Sequence, residues 1–174
     1  QGGIPDTISG LVADRKTTFV EIELLNKLRI KVDGKIKKIR LKDVAGFQRG
    51  NRFIEVAKLR QDARIQFLDN YYVFDQNHND YFFLEVLRKG PLTHYRHYWF
   101  EQGESFEMEM HLLYLEGMPY LIRPDLGMFG IKKKLVANYF EACPQIIKWV
   151  DSAKNRDISK LVDIYYQECC CNLD

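Results

Sequence analysis

From Phe19 to Val32 apolar and charged positions alternate: Val20, Ile22 and Leu24, then Leu28, Ile30 and Val32, are separated by Glu21, Glu23, Arg29 and Lys31. A period of two puts every apolar side chain on one face of a strand, so this segment predicts a half-buried β-hairpin. A loop of Leu25-Asn26-Lys27 sets Glu23 opposite Arg29 and Glu21 opposite Lys31. A shorter loop would put the two faces out of phase, so charge and pattern choose the same register. Asp33-Gly34 is the next turn signal, after which Ile36, Ile39 and Leu41 resume with one extra residue at Lys37-Lys38, the spacing of a β-bulge.

Further strands follow at Arg52 to Leu59, Arg64 to Phe67, Tyr71 to Phe74, Tyr81 to Arg88 and Thr93 to Glu101. Turn residues such as Gln76-Asn77-His78-Asn79-Asp80 and Gly90-Pro91 punctuate them. Between Glu104 and Glu116 the Glu, Met and Leu content favours a helix. The alternation of Phe106, Met108, Met110 and Leu112 with Glu107, Glu109 and His111 instead predicts a strand. Tyr120 to Arg123 closes the series. The segment 7–123 therefore reads as a curved antiparallel β-meander of about eight to ten strands.

After Pro124 the period lengthens to that of a helix: Ile131, Leu135, Tyr139 and Cys143 are spaced by four. Pro144 suits the first position of a second helix carrying Ile146, Ile147 and Val150, and Asp157 caps a third. In that third helix Ile158, Leu161, Val162, Tyr165 and Cys169 form one inward stripe. Three short C-terminal helices over 128–171, packing on the sheet, make an α+β fold in a single domain of residues 1–174.

Composition adds limits. A chain of 174 residues that is 46% apolar buries a sizeable core without a metal or a dense disulfide framework. Lys and Arg number 26 against 24 Asp and Glu, which gives no global bias toward nucleic acid or a membrane surface. No apolar run approaches the length of a membrane helix, so a soluble chain is expected. It begins Gln1-Gly2-Gly3 without Met or an apolar h-region, which fits a chain after signal-peptide removal and equally a chain trimmed at its start. The four cysteines, Cys143 and Cys169 to Cys171, allow three complete pairings. Helical geometry turns Cys169 inward and rotates Cys170 and Cys171 away, which favours a Cys143–Cys169 disulfide; the competing reading is reduced thiols.

Several motifs carry a family resemblance. They are Asp6-Thr7-Ile8-Ser9-Gly10; Phe83-Leu84-Glu85-Val86-Leu87-Arg88-Lys89-Gly90 with Tyr95-Arg96-His97-Tyr98; Lys132-Lys133-Lys134-Leu135 through Tyr139-Phe140-Glu141-Ala142-Cys143-Pro144; and Val162, Tyr165 and Cys169. Together they resemble uncharacterised exported proteins of Bacteroidetes bacteria. The resemblance implies a signal peptide, a β-rich domain with a helical tail and no activity that transfers. It also matches a Cys before Pro and one near the end, from which this chain departs by adding Cys170 and Cys171.

Catalytic and metal signatures are weak. His94 and His97 would point to opposite faces of a strand and so cannot chelate one ion, and His78 sits in a segment composed like any exposed turn. No Gly-rich phosphate loop or nucleophile elbow occurs, and Lys132-Lys133-Lys134 reads as a solvated face. No metal site or cofactor is expected. Aromatic residues crowd the central strands, with Tyr95, His97 and Trp99 on one face of a strand and Arg96 and Tyr98 on the other, only one of which can meet the core. These five are the candidate binding residues. The reading that follows is a noncatalytic exported module, periplasmic, outer-membrane associated or extracellular. It would bind a protein, glycan or peptide, or contribute to an envelope assembly, and would take no nucleic acid. The alternative is a glycan-acting hydrolase using Glu107 or Glu109.

Overall fold

The structure is a computed structural model that describes residues 11–12, 27–61, 71–79, 81–99, 108–125, 130–152 and 157–170. Lys27–Val32 (β2) and Lys35–Arg40 (β3) form an antiparallel hairpin, and Leu11–Val12 (β1) pairs with the other edge of β2. Asp33 and Gly34 both take positive φ, 49° and 76°, the backbone of a two-residue hairpin turn whose twist matches the strands. That turn carries an unbroken register from Val32 opposite Lys35 to Lys27 opposite Arg40. The bulge expected at Lys37-Lys38 is therefore not formed, and Ile36 faces outward opposite Lys31, half exposed. Lys31 has Leu11 on one edge and Ile36 on the other. The register expected for the first hairpin, Glu23 opposite Arg29 and Glu21 opposite Lys31, rests on residues outside those described. Phe19 to Asn26 themselves lie outside the described residues.

The main sheet comprises Gly46–Arg49 (β4), Arg52–Gln61 (β5), Tyr71–Phe74 (β6), Tyr81–Arg88 (β7), Leu92–Trp99 (β8), Met108–Leu115 (β9) and Leu121–Ile122 (β10). The alternation around Met108 to Leu112 thus forms a strand and not a helix. The expected strand at Arg64 to Phe67 lies outside the described residues. Along one edge, the ten-residue strand β5 pairs first with β4 and then with β6; along the other it pairs with β7. The remaining neighbours run β6-β10-β9-β8-β7, every pair antiparallel, so six strands close into a barrel. The chain is an α+β fold as expected, and consecutive-strand meandering holds from β7 to β10. Closure comes from two pairings between strands that are not consecutive, β5 with β7 and β6 with β10.

Three apolar clusters hold the layers. Leu59, Tyr72, Leu84, Tyr95, Leu112 and Leu121 fill the barrel interior. On one side of the outer wall Leu28 and Ile30 of β2 pack on Ile54 and Phe83. On another, Leu92, Leu113 and Ile122 receive the C-terminal helices.

Those helices are Lys133–Tyr139 (α1), Pro144–Ser152 (α2) and Ile158–Ile164 (α3), the last continuing into a π-helical turn at Tyr165–Cys169. Pro144 starts α2, and the Asp157 carboxylate accepts from the Lys160 N–H at the start of α3. The first helix is shorter than its sequence stripe: Ile131 forms an isolated bridge with Asp125, and Cys143 follows the helix end. The wider π turn leaves both Cys169 and Cys170 half-buried against the helical cluster, so Cys170 does not swing fully into solvent; Cys171 lies outside the described residues.

Tyr139 ties helix to barrel. Its hydroxyl accepts from the Leu115 N–H at 2.9 Å, while its proton faces the carbonyls of Tyr120 at 3.2 Å and Leu113 at 3.4 Å. Tyr139→Phe strands the buried groups it serves and is expected to lower the unfolding free energy by about 1–3 kcal/mol, read from urea denaturation. Cys143 and Cys169 stand at disulfide distance, Cα atoms 5.7 Å apart. In protein oxidised in solution, unreduced peptide mapping should recover the two as one linked pair. Reduction should then cost about 3 kcal/mol of stability in the parent chain and nothing in the Cys143→Ser/Cys169→Ser variant.

Candidate functional site

Barrel closure decides which face of β8 meets the core. Tyr95 and His97 point inward and are buried; Arg96 and Tyr98 point outward. Tyr95 donates to Glu55 Oε2 at 2.8 Å, and Lys89 pairs with the same carboxylate. His97 Nδ1 lies 3.1 Å from the Phe83 carbonyl oxygen. Of Trp99 the structure describes only the backbone, paired with Met108. Of the four candidates whose side chains are described, Tyr95 and His97 face the core, and Arg96 and Tyr98 reach the outer surface.

Around these two the barrel brings residues that are distant in sequence. The outer row of β7 contains Glu85, opposite Arg96 on β8 and Ile54 on β5. Arg52 grips the Glu85 carboxylate with both ends of its fork, Nε to Oε1 and Nη2 to Oε2, each 2.7 Å. Arg96 donates to Oε2 through Nε at 3.1 Å and Nη2 at 2.9 Å. The Glu85 side chain is 8% exposed, and those of Arg52 and Arg96 are 32% and 29% exposed. Burial raises the Glu85 pKa, but the hydrogen bonds and charges of Arg52 and Arg96 outweigh it and hold the carboxyl below its ordinary value. A carboxylate held ionised by two guanidiniums is a poor proton donor, so Glu85 is built for position and not for acid catalysis.

Both guanidiniums also lie over Tyr98, their carbons 5.3 Å (Arg52) and 4.9 Å (Arg96) from the ring centroid. Glu109 sits across from Tyr98 on β9, half exposed and 3.9 Å from Arg96 Nη1. The result is an outward-facing patch: one aromatic ring, two planar cations anchored from below by a buried carboxylate, and one solvated carboxylate. Glu107, the other carboxylate of the hydrolase reading, lies outside the described residues.

Next to the patch on the same face, His94 Nε2 and His111 Nδ1 approach to 2.8 Å. His94 is buried; burial first, then the nearby His111 and Arg96, drives its pKa down to about 3. His111 is lowered too, by burial, against the pull of Asp125, Glu109 and Asp157. The pair was not legible in sequence, since seventeen residues separate the two rings. His94 and His97 do fall on opposite faces of their strand. Among the described residues no group of three or more His, Cys, Asp or Glu side chains is placed to hold a metal ion. Lys133 donates to the Asp151 carbonyl oxygen, so part of the lysine run is spent on helix packing.

Comparison of the chain with protein-family models, with curated proteins and with solved structures finds no match.

The depressed histidine sets a pH dependence. The unfolded chain binds a proton at His94 near pH 6.5 and the folded chain only near 3, so stability is lost as pH falls through this window. From pH 7 to pH 5 this group alone is expected to cost about 2 kcal/mol. Urea denaturation at the two pH values should show a clearly smaller loss in His94→Gln.

Proposed function

We propose that the protein is a noncatalytic exported module that binds an extended glycan or peptide on its outer barrel wall, centred on Arg96 and Tyr98. The observation that carries this reading is the anchoring of two partly exposed guanidiniums and one aromatic ring by the buried Glu85. Ligand recognition on a surface loses affinity to the ordering of flexible side chains, and Arg52 and Arg96 are ordered before any ligand arrives. A tyrosine ring offers a stacking face, guanidinium edges donate in a plane, and Glu109 accepts; a sugar ring or an extended peptide backbone presents the complementary groups.

Export is supported by Cys143 and Cys169 at disulfide distance and by the motif resemblance to exported Bacteroidetes proteins. Among the described residues no helix is long and apolar enough to cross a membrane.

The test is a glycan and peptide binding screen with the intact chain, followed by titration of any hit. Tyr98→Ala and Arg96→Ala should each weaken binding at least about tenfold, the scale of a central interface contact. His78→Ala, in the β6–β7 loop, should not. Equal affinity in all three variants would remove this face from the reading.

A further inference from the structure

The β2–β3 ribbon has a second surface that the patch around Tyr98 does not use. Residues 27–42 carry Lys27, Arg29, Lys31, Lys35, Lys37, Lys38, Arg40 and Lys42 against Asp33 alone, a local charge of +7 in a chain of net +2. The rest of the chain is therefore at −5, and the positive charge is concentrated on this one hairpin. Its cross-strand partners make the concentration costly: Arg29 stands directly opposite Lys38, like charge against like charge on one face. Arg40 is relieved by Asp43 at 3.0 Å. No acidic side chain among the described residues pairs with Arg29, Lys31, Lys35, Lys37 or Lys38, and Arg29 Nε is buried without a hydrogen-bond partner.

Ile36 belongs to the same outward face. It lies opposite Lys31, two residues from Lys38 and just beyond the hairpin tip, 50% exposed. Lys31 and Lys38 beside it on this face are exposed, and Lys35 and Lys37, exposed as well, alternate with them onto the other face of the narrow ribbon. We propose that this ribbon docks on an anionic lipid surface, with Ile36 entering the interface and the surrounding lysines meeting lipid phosphates.

Charge complementarity calls for an anionic partner, and the side-chain chemistry selects among anionic partners. Single-stranded nucleic acid is held by aromatic stacking platforms, and residues 27–42 contain no aromatic residue. Lysines are compact charges on long aliphatic stems that lie along an apolar boundary, and an exposed isoleucine in their midst is suited to acyl chains and not to a phosphodiester backbone.

The intact protein is tested by co-sedimentation with vesicles of phosphatidylcholine alone and of phosphatidylcholine with about a third phosphatidylglycerol, at low and high salt. It should bind the anionic vesicles only, and less at high salt. With a surface lysine contributing about a fivefold gain, Lys31→Gln/Lys35→Gln/Lys38→Gln should weaken partitioning on the order of a hundredfold. Ile36→Ser should weaken it severalfold at unchanged charge. Lys134→Gln/Lys148→Gln/Lys160→Gln removes as much charge from the exposed helical side and should leave binding within about threefold. Unchanged circular dichroism confirms that each variant is folded. Equal losses in the two triple variants, binding to uncharged vesicles, or an Ile36→Ser variant that binds as the parent does would overturn the proposal. So would tighter binding to a short DNA duplex than to the anionic vesicles.

Discussion

Strand β5 is hydrogen-bonded along both edges, and the rest of the molecule is arranged around that fact. A strand paired on one side leaves a sheet with open edges; here β7 takes one side of β5 while β4 and β6 share the other, and β10 completes the ring through β6 and β9. Closure removes the exposed edges of those six strands and fixes an inside and an outside for each. The side-chain period of two then admits no compromise. A slip of one residue in any strand would send Leu84 or Leu112 out and Glu85 or His111 in.

The same constraint builds the patch on the outer wall. Glu85 falls in the outer row of β7 because Leu84 must fall in the inner row, and it is buried there by its neighbours. A buried carboxylate is tolerated only when paired and hydrogen-bonded, and two arginines from adjacent strands meet that need. What remains of each arginine after serving Glu85 faces solvent beside Tyr98. Rigidity at the surface is therefore a by-product of satisfying a charge beneath it.

How much of this was legible follows the range of the interactions. Turn punctuation named the strands at Tyr81–Arg88 and Leu92–Trp99, alternation the one around Met108 to Leu112, and Asp157 announced its cap. The inward stripe of the last helix carried Cys169 toward Cys143, although Cys143 itself lies past its helix end. These are local signals within one or two turns or a few strand residues. The split of β8 into two faces was also readable, but which face was inside depended on closure. Closure rests on pairings such as Leu121 with Tyr72, made by a two-residue strand that carries almost no pattern of its own. Glu85 stood in an apolar run, Phe83-Leu84-Glu85-Val86-Leu87, where one acidic residue reads as the solvated face. Its partner Arg52 is thirty-three residues away, so only the fold reveals the pair. The expected bulge at Lys37-Lys38 failed for a related reason: the pattern was asked to keep Ile36 inside, whereas the turn geometry of Asp33-Gly34 fixed the register first and left Ile36 out.

Strand β8 also explains why acid response and binding belong to different parts of one face. Its outward residues, Leu92, His94, Arg96 and Tyr98, follow one another at about 7 Å per step, the rise of two residues in a strand. Leu92 lies wholly beneath the C-terminal helices, His94 is still buried, and Arg96 and Tyr98 are partly open to solvent. Charge is therefore most costly at the covered end of the row, where His94 stays neutral, and is sustained at the open end, where Arg96 has Glu85 below it. Protonation near the covered end strains the joint between barrel and helices and leaves the guanidinium patch ionised. A loss of ligand at mildly acidic pH would then have to pass through loosening of the fold, because the Glu85 carboxylate at the open end is held below its ordinary value by the two guanidiniums that grip it.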